Sequence, residues 1–368
     1  MENNVNLRVP GPTPVPPRVA AAGARPMVNH RGPEFAAVVG EIVENLKPYF
    51  GTEAEPLLLT GSGTGALEAT VVNMLSPGDP VLAVTIGVFG NRFADIAAAF
   101  GADVRRVEAI WGQAMTPETV SDALTAQPDI RAVLITHNET STGVTNDVAS
   151  LARVVREAAP DALILVDGIS SIGALPFRMD EWDVDAAITG SQKAWMSPPG
   201  AAMVAVSERG WAANRRARIP RYYWDFERAR KSAARRTMPY TPAVGVMTAL
   251  GEALHLMHEE GVEAIFARHR HIGNLARSGI ANLGLQLFPP EAVASNTVTA
   301  ARVPDGVDAS ALLSELRQRH GVVLGSGQDI LKGTIFRIGH MGYVGEADIE
   351  HVIERLGLAL DEQRRRSA

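Results

Sequence analysis

From residue 50 to residue 210 the chain repeats one pattern: a short apolar run, then a stretch with helical periodicity. The runs are Leu57–Thr60, Pro80–Val84, Asp103–Val107, Ala132–Thr136, Ala162–Val166, Ala186–Thr189 and Ala201–Val206. Most are rich in Val, Leu, Ile or Ala with no polar alternation, as expected of strands covered on both faces. Helical patterns follow the first two runs, one starting near Gly65 and one around Asn91–Phe100. The alternation predicts an α/β layer of about seven mostly parallel strands sandwiched by helices. The proline-rich stretch Pro10–Pro17 suits neither helix nor central strand and is expected to be an extended arm, followed by an amphipathic helix from Glu34 to Phe50.

After Trp224 the pattern changes. Long helices are expected over Ala243–Glu260 and Val262–Leu283, joined at Gly261. Strands at Leu285–Phe288, Val298–Val303 and Thr334–Ile338 and helices at Ala309–Arg319 and Glu346–Asp361 complete a small C-terminal α+β domain. The expected division is an arm over 1–20, a large domain over 21–265 and a small domain over 266–368.

Composition narrows the chemistry. The 368 residues are 46% hydrophobic and 21% charged, and the net charge of −6 gives no sign of a nucleic-acid or membrane-surface partner. The basic clusters Arg228–Lys231 and Arg364–Arg366 are expected to be solvated. With no cysteine, disulfides, thiolate metal sites and cysteine nucleophiles are excluded. No segment approaches a membrane span and the N-terminus has no signal-peptide core, so a cytoplasmic location is expected. Only four lysines occur: Lys47, Lys193, Lys231 and Lys332.

Four stretches carry candidate chemistry. Gly61-Ser-Gly-Thr-Gly-Ala66 follows a strand and opens a helix, where free amides and the helix dipole bind phosphate. It is equally a tight strand–helix turn, and it matches a dinucleotide fingerprint. The next strand, however, ends without the acid that would hold a ribose, and no Gly-Lys-Ser/Thr occurs. Asp167 ends the apolar run Leu163–Val166, as a helix N-cap or as the partner of a cationic ring nitrogen. Lys193 follows the run Ala186–Thr189 among small residues, where a solvated lysine is out of place and an imine-forming one is not. Arg337, between Phe336 and Ile338, either pairs structurally or receives a carboxylate. His137 is expected to be structural, and His255, His258, His269 and His271 to be helix-surface residues with no metal to hold. A phosphate cradle, an acid at a strand end, a lysine 26 residues on and an arginine in a second domain together suit a pyridoxal 5′-phosphate (PLP) enzyme.

The chain resembles the class V aminotransferases of the alanine/serine–glyoxylate group. The resemblance rests on Pro10-Gly-Pro-Thr-Pro14, His30-Arg-Gly-Pro-Glu-Phe35, Gly61–Ala69, His137-Asn-Glu-Thr-Ser-Thr-Gly143, Val166-Asp167, Gly190-Ser-Gln-Lys193, Pro198-Pro-Gly200 and Arg337-Ile-Gly339. It implies the fold type I of PLP transferases, with Lys193 forming the internal aldimine and moving a proton to and from the substrate. It further implies that Asp167 pairs with the ring nitrogen, Phe89 stacks on the ring and Thr140 lies near the ring hydroxyl. Ser62, Gly63, Thr64 and Gln192 would hold the phosphate, and Arg337 the substrate carboxylate. Tyr240 and Thr241 would reach the phosphate of a neighbouring subunit, implying a homodimer with shared sites. The implied reaction is ping-pong transamination between alanine or serine and glyoxylate or pyruvate. Aminoethylphosphonate–pyruvate and pyridoxamine–pyruvate transamination are the alternatives within the family, and an NAD(P)-dependent dehydrogenase is the alternative outside it.

Overall fold

The computed structural model describes residues 5–367, with side-chain surroundings through residue 363. The strands are β1 (Asn6–Arg8), β2 (Leu57–Gly61), β3 (Pro80–Thr85), β4 (Asp103–Glu108), β5 (Ala132–Thr136), β6 (Asn138–Glu139), β7 (Val144–Thr145), β8 (Leu163–Asp167), β9 (Ala186–Gly190), β10 (Gly200–Val206), β11 (Val298–Arg302), β12 (Val322–Ser326) and β13 (Ile335–Gly339). The helices are α1 (Pro17–Gly23), α2 (Pro33–Phe50), α3 (Gly63–Met74), α4 (Val88–Ala99), α5 (Pro117–Ala126), α6 (Val148–Ala158), α7 (Glu208–Asn214), α8 (Phe226–Ala233), α9 (Val244–Glu260), α10 (Val262–Asn282), α11 (Ala309–His320) and α12 (Glu346–Ser367). None of the described helices is long and apolar enough to cross a membrane.

The seven apolar runs form one seven-stranded sheet in the order β2-β10-β9-β8-β5-β3-β4. All neighbours are parallel except β10, which runs against β9 and β2. Both faces are covered. Leu82, Val84, Val133, Ile135, Ile164 and Val166 meet a core that includes Phe35, Ile42 and Leu46 of α2 and Leu250 of α9. Val81, Ala83, Leu134 and Leu165, one step out of phase along the same strands, meet Leu67 and Val71 of α3 and Phe93 of α4. This two-sided burial is why the runs lack polar alternation.

The parallel register decides where chemistry can gather. Thr136 pairs with Asp167, and Asp167 with Ile188, so β5, β8 and β9 end side by side. The loops leaving them, together with Gly61 at the end of β2, open at one edge of the sheet. Ligands in open α/β sheets bind at such carboxyl-end edges.

The C-terminal elements form a four-stranded sheet, β1-β12-β13-β11, over a third core built on Ile272, Leu316, Phe336 and Val352. One expectation is corrected here. Leu285–Phe288 is no strand and makes only the single bridge Leu287–Ala301. The strand missing from that reading is β12, which lies between β13 and β1 of the arm. The arm thus enters the sheet by Asn6–Arg8 before its proline stretch begins.

Behind the loop that follows β9 stands Trp195, fully buried. Its indole lies edge-on to Tyr49 at 5.4 Å and stacks near Phe50 at 6.5 Å, while Nε1 donates to Thr189 Oγ1 at 2.9 Å. Removing it leaves a large cavity beneath that loop. Trp195→Ala is expected to cost about 3–5 kcal/mol of unfolding free energy. Urea denaturation checks this, and a loss below about 1 kcal/mol would contradict the packing role.

Candidate active site

A cavity of about 360 Å³ opens at the carboxyl edge of the large sheet. Ser62, Gly63, Thr64, Phe89, Thr140, Asp167, Gln192 and Lys193 all line it, joined by Gly11, Pro12, Arg92, Asn138, Ser170 and Gln328. Residues up to 317 positions apart in sequence thus surround one space, because the fold brings their loops together.

Lys193 leaves β9 in a loop held by the arm. Thr13 donates from its amide to Gln192 O at 3.1 Å and from its hydroxyl to Lys193 O at 2.9 Å. The Lys193 ammonium donates to Pro10 O. Gly11 passes so near that a β-carbon on it would lie 2.7 Å from Nζ. Burial lowers the lysine pKa to about 8, against the opposing pull of Asp167. Asp167 is itself buried, and the loss of water pushes its carboxyl up to about 7. Its side chain accepts one protein hydrogen bond, from Ile169 N at 2.9 Å.

The tripeptide 139–141 supports the cavity from behind. Glu139 Oε2 accepts from Phe89 N and Gly90 N, both at 3.0 Å, and Ser141 Oγ accepts from Val88 N at 3.0 Å. The first three amides of α4 are therefore capped by side chains 49 to 53 residues away in sequence, while Gly87 supplies no cap of its own. Glu139 Oε1 also accepts from the Ser141 amide and hydroxyl. Between them Thr140 donates to Ser170 Oγ at 2.9 Å, and its carbonyl accepts from Arg337 Nη1 at 2.9 Å.

Arg337 does not line the cavity. It stands behind Gln328 and Thr140, which do. Its Nε donates to Ser326 O and its Nη1 also to Gln328 Oε1. Among the described residues no acceptor takes Nη2. Burial lowers the guanidinium pKa to about 10, yet it stays cationic at neutral pH.

Tyr240 and Thr241 lie elsewhere, in a small crevice with Leu58, Thr60 and Trp224. Tyr240 stacks 5.1 Å from Tyr223 and donates to Tyr222 O at 2.9 Å. His137 packs against Phe177 at 5.6 Å and is kept neutral by burial, with a pKa near 4. His269 corrects the surface expectation. It is fully buried, with Nδ1 2.8 Å from Ile265 O and Nε2 accepting from Gly342 N. Arg228 and Arg230 of the first basic cluster lie over the rings of Tyr222 and Trp211, and Arg364–Arg366 fall outside the described side chains.

Sequence reading missed Arg92, Asn138, Ser170, Gln328 and Glu139. A signal existed for Arg92, which stands three residues after Phe89 on one helix face, and for Glu139, inside the recognised His137–Gly143 stretch.

The class-V aminotransferase family model matches residues 17–352. The chain belongs to that family. It is 41% identical to the "Soluble hydrogenase 42 kDa subunit" of Anabaena cylindrica, over 98% of this chain and 94% of the relative. It is 40% identical to the L-aspartate–glyoxylate aminotransferase of Paracoccus denitrificans (96% and 92%) and 39% to the serine–glyoxylate aminotransferase of Methylorubrum extorquens (94% and 88%). The crystal structure of alanine–glyoxylate aminotransferase from Nostoc sp. superposes with a TM-score of 0.93 at 32% identity, covering 97% of this chain and 95% of that one. The fold is therefore the PLP fold type I, and the cofactor of this class-V aminotransferase is pyridoxal 5′-phosphate.

The cavity of the aminotransferase fits that group. No protein acceptor among the described residues takes the Gly63 and Thr64 amides at the start of α3, which leaves these donors for an anion. Asp167 is a buried carboxylate short of a donor, which a protonated ring nitrogen would supply.

Lys193 gives a pH test in the cofactor-free protein. Its folded pKa of about 8 lies below the ordinary 10.5, so the folded chain carries the full cost of the buried charge below pH 8. That cost fades as pH rises from 8 to 10.5. Lys193→Met is expected to melt higher than the native apoprotein at pH 7, with the difference shrinking above pH 8. A constant difference across that range would contradict the buried-amine assignment.

Proposed function

We propose that this aminotransferase moves the amino group of alanine or serine to glyoxylate or pyruvate in two alternating half-reactions. The observation that supports small monocarboxylic substrates is the guanidinium of Arg337. Three oxygen acceptors fix it, and Nη2 remains to receive one carboxylate. Glyoxylate recurs as the acceptor in the names of three aminotransferase relatives, while their donors differ as aspartate, serine and alanine. The hydrogenase name is carried by two relatives, each 41% identical to this chain. This chain has no cysteine, the usual ligand of iron–sulfur clusters.

Bound PLP supplies an aldehyde for the amino group and a cationic ring that withdraws electrons. In this scheme Asp167 holds the proton on the ring nitrogen, because its buried carboxylate gains a cationic partner there. Phe89 and Thr140, which line the cavity, would hold the ring. Ser62, Gly63, Thr64 and Gln192 offer hydroxyl, amide and side-chain donors to the phosphate. Lys193 would hold the cofactor and, as a neutral amine, would take up and return the proton of the donor's α-carbon. Its lowered pKa raises the fraction of neutral amine that can do this near pH 7. Residues 1–20, 21–265 and 266–368 serve as arm, large domain and small domain. Tyr240 and Thr241, remote from the cavity of their own chain, are assigned to the phosphate of a second copy in a homodimer.

Half-reaction rates for alanine, serine and aspartate on purified holoenzyme test the substrate assignment. Alanine or serine is expected to react fastest, with glyoxylate or pyruvate restoring the starting spectrum. Rapid turnover of aspartate alone would contradict it.

A further inference from the structure

We propose that Arg92 is a phosphate-binding residue that closes the Gly61–Thr64 cradle from the side of α4. The proposal rests on PLP occupying this cavity. Arg92 lines the cavity with Ser62, Gly63 and Thr64, and its Nη1 lies 3.4 Å from Thr64 Oγ1. One helical turn separates it from Phe89, and its guanidinium sits 4.8 Å from the centroid of that ring. Stacking on an aromatic face fixes the plane of the guanidinium and so the direction of its donors.

Charge makes the case. Among the described residues no carboxylate pairs with Arg92, whereas Arg106 alongside is paired with Asp95 at 2.6 Å. The cradle residues Ser62, Gly63, Thr64 and Gln192 are all neutral. The α3 N-terminus contributes only about half a positive charge. Lys193, the other cation lining the cavity, turns to Pro10 O. A phosphate bearing up to two negative charges thus finds one uncommitted cation beside its cradle. A guanidinium can meet two of its oxygens at once.

The test compares PLP with pyridoxal, which lacks the phosphate. Each is titrated into cofactor-free native protein, Arg92→Gln and Arg92→Lys, after circular dichroism shows the variants folded. Arg92→Gln is expected to weaken PLP binding about ten- to hundredfold, the factor for losing a charge-assisted contact. Pyridoxal binding should change less than about twofold, and Arg92→Lys should fall between. Equal weakening of both ligands would overturn the proposal by making Arg92 merely structural. Unchanged PLP binding, with KM raised only for dicarboxylic donors, would overturn it by moving the site to the substrate side chain. A native protein that binds neither ligand would defeat the cofactor assignment itself.

Discussion

Two groups that burial discourages from ionising face the same cavity. Asp167 is pushed up to about 7 and Lys193 down to about 8, each for want of water. Left alone, such a pair is a cost to the fold. In the proposed scheme it would become useful once a cationic ring takes the carboxylate and an aldehyde takes the amine. The parallel register of β5, β8 and β9 enforces the arrangement by ending those strands together, and the arm seals it by gripping the Lys193 loop through Thr13 and Pro10.

The second sheet is tied to this centre through one peptide. Thr140 lines the cavity, donates its hydroxyl to Ser170, receives Arg337 of β13 on its carbonyl, and sits between the two side chains that cap α4. A displacement of β13 is therefore felt by the same short segment that orients Phe89. Glu139 makes this hold without a cation of its own. Its two oxygens accept four hydrogen bonds, which offset the burial that raises its pKa.

The large sheet was legible because two-sided burial leaves a direct mark: runs such as Ala132–Thr136 have no exposed face to make polar. Asp167 and Lys193 were legible because they stand just past such runs. The start of α4 was not. Local pattern suggests Asn91, whereas the helix begins at Val88 because Glu139 and Ser141 cap it from across the fold. Leu285–Phe288 was over-read and Val322–Ser326 missed for a similar reason, since the arm pairs with the latter and only a bridge reaches the former. His269 was misplaced because a polar residue on a helix reads as exposed unless its partners, here Ile265 O and Gly342 N, are known. Arg92 went unread because its neighbour Thr64 belongs to a different loop.

The central claim is that one amine of four, at Lys193, holds the cofactor. Borohydride reduction of the purified yellow holoenzyme followed by peptide mass mapping reads this directly, because the reduced pyridoxyl group stays on the lysine that held it. The account predicts the label on the peptide bearing Lys193 and on no other. A label on Lys47, Lys231 or Lys332, or none at all, would contradict it.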